Sequence, residues 1–381
     1  MPAFAYRHIR DLYPVFWSKS REMVLALTSS MEGEKPEVVQ DIKQAPVVEV
    51  GGWTSRGALD IIGVAGMGQD FNAIQDPDTE LSLTYRKVFQ PSKQAQLLGL
   101  LGLFLPWWLL RALPVQRNED VETAANTVKK VCRQLIHQKQ QKLDNKEKRV
   151  DVDILSVALE SGGFTEENLV DQMMTFLAAG HETTATSMVW AIHALCKNPE
   201  YQTRLREEIR ANLPSIDDAS TPVTDKVLER LPFLHAVCNE VLRVHSPVPV
   251  TLREAAHDTS ILGQHVPKGT KIILGVWAVN LSTKLWGPDA AEFKPDRWMG
   301  PGRSNTGGAG SNYAFMTFLH GPRSCIGQAF AKAEFACLLA SIVGRFEMEL
   351  EDPERVIDIK TGITSRPKGG LPVRMRRLEG W

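Results

Sequence analysis

The chain has 381 residues, with 44 Lys and Arg against 45 Asp and Glu, a net charge of −1, 43% hydrophobic and 23% charged residues. That composition excludes a disordered, collagenous or disulfide-scaffolded chain, and the near-zero charge argues against nucleic acid as a partner, which would call for a basic excess or basic runs. The five cysteines, Cys132, Cys196, Cys238, Cys325 and Cys337, are odd in number and form no CxxC pair, so they point to a reducing compartment rather than a secreted disulfide framework or a zinc ribbon.

Residues Met1 to Arg10 hold no apolar run that could serve as a signal-peptide core. Apolar residues at three- and four-residue spacing predict helices from Tyr13 to Met31, Trp53 to Gly63 and Asp76 to Phe89. The longest apolar run, Leu97 to Leu110, contains Pro106 and is shorter than the roughly 20 residues that span a bilayer. A polar-faced helix is predicted over Asn118–Lys142, decaying into the charged loop Asp144–Arg149, which reads as solvated linker within one domain. Thr165, followed by Glu166 and Glu167, predicts the capped start of one long helix that nothing breaks before Asn198–Pro199. Further helices are expected from Glu200 to Asn212 and from Asp225 to His245, the latter ended by Ser246-Pro247-Val248-Pro249. Beyond Pro249, Val250–Arg253, Ser260–Leu262 and Lys271–Val276 read as short strands. A Gly-rich loop from Met299 to Asn312, a helix from Gly327 to Gly344 and strand-like segments complete the chain. The expected fold class is mainly α with small β-sheets (α+β), in one domain over 1–381, with 1–245 mostly helical and the sheets confined to 246–381.

Four segments carry chemistry. Glu240-Val241-Leu242-Arg243 sets a carboxylate and a guanidinium one helical turn apart, as does Glu207-Glu208-Ile209-Arg210 on a helix expected to face solvent. Taken alone, either is an ordinary surface pair. In Phe318-Leu319-His320-Gly321-Pro322-Arg323-Ser324-Cys325-Ile326-Gly327, a kinked loop presents a thiol just before a helix. The helix N-terminus and Arg323 would both favour thiolate, the form that ligates metal; the bland alternative is a small buried free cysteine. Ala179-Gly180-His181-Glu182-Thr183-Thr184 interrupts a helix with residues of poor propensity. A Thr hydroxyl bonded one turn back could bend the helix and open a groove, or the segment could be a tolerated kink. It is not a zinc HExxH, since Ala185 stands where the second His would be. Phe293-Lys294-Pro295-Asp296-Arg297-Trp298 holds an Arg in a Pro-restricted loop.

In this order the four segments resemble the signature set of the cytochrome P450 superfamily, the haem-thiolate monooxygenases, in its fungal microsomal form. The five defined positions of FxxGxRxCxG would meet by chance in about one chain in ten thousand of this composition. The resemblance implies the P450 fold, with a long central helix over the haem. It implies Cys325 as the axial thiolate on the iron of haem b, Glu182 and Thr183 as an acid–alcohol proton relay, and Ala179 and Gly180 as the space beside it. Glu240, Arg243 and Arg297 would form a buried ion cluster of structural role. Arg253 and Arg323 would pair with haem propionates, and Phe318 and Gly327 would line the cofactor. Two electrons from NADPH, delivered by NADPH-cytochrome P450 reductase, would activate O2 toward a small lipophilic metabolite of specialised biosynthesis at the cytosolic face of the endoplasmic reticulum membrane, and Leu97–Leu110 would either touch the membrane surface or form a core helix. The family's anchor, hinge, first strands and propionate-binding helix precede the equivalent of Pro2-Ala3-Phe4, so the chain reads as this fold without its usual N-terminal portion. The competing expectation is a non-catalytic remnant that cannot retain haem.

Overall fold

In the computed structural model, residues 2–33, 39–89, 97–98, 101–102, 105, 107–111, 116–144 and 153–381 are described. Helices α1 (Tyr6–Asp11) and α2 (Tyr13–Glu32) lead to strand β1 (Val47–Glu49) and α3 (Val50–Ile61). The Glu49 carboxylate caps α3, accepting the N–H of Gly51 and Gly52 at 3.0 and 2.8 Å. A π-helical turn, Ile62–Met67, follows. Then come α4 (Glu80–Phe89), α5 (Trp107–Arg111), α6 (Gln116–Asp144) and α7 (Ile154–Glu160). Apart from Asp144 itself, the charged loop expected as linker lies outside the described residues.

Helix α8 (Glu166–Lys197) is the organising element, 32 residues long and therefore about 48 Å from end to end at 1.5 Å per residue. Its start is the predicted one: Thr165 Oγ1 accepts the Asn168 N–H at 3.3 Å, with Glu166 and Glu167 in the first turn. It packs on α3, α6 and the later helices over Pro232–Val244 and Gln328–Arg345, and its apolar side chains belong to one continuous core. The helix runs unbroken through Ala179–Thr184, and Thr183 Oγ1 donates to the Ala179 carbonyl at 2.8 Å, the expected back-bond.

Three sequence expectations are corrected. The helix read from Asp225 to His245 is two, α10 (Asp225–Leu228) and α11 (Pro232–Val244). Pro232 has no N–H to continue the first, so it opens the second, whose free Phe233 and Leu234 N–H groups donate to Glu208 at 2.9 and 2.8 Å. The helix before them, α9 (Pro199–Asn212), faces solvent on one side only: Arg206 donates to the carbonyls of Val343 and Phe346, and Arg210 to that of Gly344 at 2.9 Å. Its charges serve the ends of neighbouring elements, which the pattern of its own sequence cannot show. The strand read to Val276 ends at Leu274, because Val276 begins α12 (Val276–Asn280).

Among the described residues the strands make four small antiparallel sheets. β2 (Thr251–Glu254) pairs with β5 (Lys271–Leu274), and β3 (Thr259–Ile261) with β4 (Gln264–Val266) through a Leu262-Gly263 turn in which both residues have positive φ. After α13 (Thr283–Trp286) and the long α14 (Gln328–Arg345), β6 (Phe346–Leu350) pairs with β9 (Pro372–Arg377), and β7 (Ile359–Thr361) with β8 (Ser365–Pro367). β1 joins the other edge of β9, with Val47 opposite Arg374. One sheet strand thus comes from the half expected to be helical.

In the apolar run, Leu97, Leu105, Trp108 and Leu109 are exposed whereas Leu98 and Leu110 are buried. No helix among the described residues is long and apolar enough to cross a membrane.

Candidate active site

The loop before α14 presents the thiol. Leu319 and Gly321 both have positive φ (58° and 78°); for a leucine this conformation is strained and needs support from its surroundings. That support comes from the Cys325 N–H, which donates to the Phe318 carbonyl at 2.8 Å, and from the His320 ring against the Phe315 carbonyl at 3.2 Å. Of the five cysteines, all described, only Cys325 is exposed. Crowding by the loop raises its thiol pKa and the Gly327 N–H lowers it, with the rise prevailing. Crowding around the thiol thus opposes the thiolate that the helix N-terminus and Arg323 would favour. Binding of a metal would supply the deprotonation. Arg323 is exposed on a short 3-10 turn, Phe318 is half-buried against Phe315, and Arg253 on β2 bonds to the Leu252 carbonyl at 2.8 Å.

Phe4 joins this loop to the central helix. A Cβ placed on Gly327 would stand 4.0 Å from both Cys325 Sγ and Phe4 Cε1, and the Phe4 ring meets Phe176 of α8 edge-on at 4.9 Å. Phe176, Ala179 and Thr183 form one stripe of α8 by their three- and four-residue spacing. Ala179 is exposed and Thr183 half-buried, so the thiol and the Thr183 hydroxyl belong to the same side of the helix. At Gly180 a Cβ would meet Ile62 Cδ1 at 3.1 Å, so the missing side chain also lets α8 lie close on the 62–67 turn.

The Glu182 carboxylate takes a different direction. It is buried, ion-paired with Arg366 at 3.0 Å, and accepts from Thr364 at 2.9 Å. Burial raises its pKa, and Arg366, Thr364 and Thr186 oppose the rise. Together with His181, Ser55 and Arg56 it lines a cavity of about 640 Å³ between α3, α4 and α8. His181 is held neutral there, its pKa lowered by burial and by Arg366 to about 3, with Ser55 Oγ 2.9 Å from its Nε2. Acid and alcohol are neighbours in sequence but diverge by about 100° around the helix. Arg366 and Thr364 carry no sequence signal beyond a Pro/Gly-marked turn.

Glu240, Arg243 and Arg297 do come together. Arg243 grips Glu240 through two bonds of 2.8 Å, Arg297 Nε adds one at 3.0 Å, and the Lys294 N–H and Trp298 indole add two of 2.8 Å. Arg243 also donates to the Asn280 carbonyl at 2.8 Å, and the Asn280 side chain holds the Met316 N–H and the Thr317 hydroxyl at 2.8 Å each. The cluster thereby reaches the start of the thiol loop through Asn280, which nothing in the sequence marks.

Among the described residues no group of three or more His, Cys, Asp or Glu could hold a metal ion. One exposed thiol instead suits an iron that brings its other ligands with it, as haem does, and the small Ala179 with the back-bonded Thr183 leaves room on the facing helix. The donor set fits that cofactor.

Comparison with known proteins agrees. A sequence model of the cytochrome P450 family matches residues 2–372. The chain is 48% identical to cytochrome P450 monooxygenase sphH of Aspergillus fumigatus, over 100% of this chain and 69% of that protein. It is 44% identical to cytochrome P450 monooxygenase FUM15 of Gibberella moniliformis, over 99% and 70%. The fold matches the crystal structure of a cytochrome P450 (CYP102L1) with a TM-score of 0.77 at 23% identity, covering 99% of this chain and 77% of that one. Family model, relatives and fold converge, and the chain belongs to the cytochrome P450 family, as an oxidoreductase of the monooxygenase kind whose family cofactor is haem.

Proposed function

We propose that the chain, as a single catalytic domain over 1–381, holds haem b through the Cys325 thiolate and inserts one atom of O2 into a small lipophilic metabolite of specialised biosynthesis. Two electrons from NADPH arrive through NADPH-cytochrome P450 reductase, and with two protons the second oxygen atom leaves as water. The bound haem supplies the activation of O2. The observation that carries this reading is the exposed Cys325 thiol on the side of α8 that presents Ala179 and Thr183.

The residues divide the work. Cys325 binds, and its loop is braced by the Glu240, Arg243 and Arg297 cluster, whose role is structural. Arg323, exposed, and Arg253, on leaving the Leu252 carbonyl, would pair with carboxylates of the cofactor, with Phe318 and Gly327 against its proximal side. Thr183 holds a proton at Oγ1, currently pointed at the Ala179 carbonyl. Glu182 takes protons from the polar cavity and passes them toward Thr183 by leaving Arg366. The exposed Leu97, Leu105, Trp108 and Leu109 support contact with the cytosolic surface of the endoplasmic reticulum membrane.

The test is the carbon-monoxide difference spectrum of the dithionite-reduced protein beside Cys325→Ser. A red-shifted thiolate Soret band that disappears in the variant is expected. A protein that retains no haem, or one whose spectrum is unchanged by the substitution, would overturn the reading; the first result would favour the non-catalytic alternative.

A further inference from the structure

The neighbour of Thr183 makes the polar tie between the two helices of the site. Thr184, buried, donates from Oγ1 to Glu334 Oε2 at 2.9 Å. Glu334 sits on α14, the helix that starts directly behind the Cys325 loop, and is 0% exposed. Its other oxygen, Oε1, is buried with no hydrogen-bond partner. Burial holds its pKa well above the ordinary carboxylate range, which favours the neutral acid, while the bond from Thr184 opposes the rise.

An acid with half its hydrogen-bonding capacity unmet is a costly way to fill a core that leucine would fill better. Its contribution must lie in direction. Apolar contact between α8 and α14 is non-directional and tolerates sliding and rotation, whereas a hydrogen bond weakens steeply away from its preferred geometry. Thr184 faces α14 while Thr183 lies about 100° around the helix, on the stripe shared with Phe176 and Ala179. One bond at Thr184 therefore sets both the rotation and the height of the Thr183 hydroxyl.

We propose that Glu334 is a positioning residue whose bond to Thr184 fixes the Thr183 hydroxyl against the Cys325 loop. This rests on the reading of Thr183 as a proton-relay group. Loss of the bond misplaces the hydroxyl, and O2 then leaves with the two delivered electrons and two protons as hydrogen peroxide instead of oxidising substrate.

The test uses the haem-loaded protein with reductase and four variants: Thr184→Val, Thr184→Ser, Glu334→Gln and Thr183→Ala. Two quantities are read, hydrogen peroxide released per NADPH consumed and, without turnover, amide hydrogen exchange over residues 179–187. Thr184→Val should raise the peroxide ratio by about threefold to tenfold, the span of one hydrogen bond, and speed the exchange, with the thiolate Soret band intact. Thr184→Ser and Glu334→Gln, which keep the bond, should stay near the wild-type values in both. Unchanged exchange and peroxide in Thr184→Val would overturn the proposal. If Thr183→Ala raises peroxide and Thr184→Val does not, the positioning role alone fails. If Thr183→Ala leaves the ratio unchanged, the relay reading fails, and the exchange data still decide whether Glu334 orders this segment.

Discussion

At Glu240 a single carboxylate accepts from Arg243, Lys294, Arg297 and Trp298, and both charged partners are buried with it. Removing the negative charge leaves Arg243 without a carboxylate partner and Arg297 with only Asp289, at 3.5 Å. Loss of one partner of a buried pair costs about 3–5 kcal/mol, so Glu240→Gln should lower the stability of the fold by that order, measured from the urea midpoint. A change under about 1 kcal/mol would mean the cluster behaves as a surface pair. The second ExxR match makes the contrast: Arg210 spends its donors on the carbonyls of Gly344 and Glu379. Spacing alone made the two segments look alike, and only the elements packed around them separate a shared ion cluster from a helix-end cap. At Glu182 the sequence could not show the direction of the carboxylate, because Arg366 and Thr364 arrive from a hairpin more than 180 residues away.

Among the elements, α8 is the one most clearly written in the sequence. Its cap, acidic first turn and uninterrupted length are local properties, and the structure reproduces them. Thr165→Ala removes the oxygen that accepts the Asn168 N–H and should cost about 1 kcal/mol. The expected result is a lower denaturant midpoint with an unchanged slope. The α10–α11 break shows the opposite case: the apolar periodicity continues through Leu231-Pro232, but Pro232 cannot donate, and Glu208 from α9 takes the amides that the break sets free.

On the scale of the whole molecule, burial lowers the pKa of four histidines, His181, His193, His235 and His245, and so favours their neutral forms. Burial lowers the pKa of His181 to about 3, His193 to about 4 and His245 to about 3, from 6.5. His245 lies flat on Trp190 at 4.6 Å, with His193 edge-on beside it. In the unfolded chain these groups take up protons as the pH falls through about 6.5, and in the fold they resist until far lower. The unfolded state then binds more protons, so stability is full above pH 6.5 and declines as the pH drops, by about 2 kcal/mol per histidine at pH 5. Thermal melts between pH 7.5 and 5 should show a falling midpoint, and His245→Asn should flatten the slope. A midpoint that rises on acidification would contradict the buried neutral state.

The sequence by itself determined the helical class, the central helix with its cap, and the family, because a periodic apolar stripe, a capping hydroxyl and an ordered set of short motifs are all local. It also singled out the Cys325 loop, which is encoded within ten residues. Tertiary structure alone decided which charges are paired, that β1 from the N-terminal half closes the β9 edge, and that acid and alcohol of adjacent residues face different surroundings. It alone brought Asn280 to the thiol loop and Glu334 to Thr184. The physical reason is the same in each case: a buried polar group is defined by the partner that satisfies it, and that partner comes from a distant part of the chain.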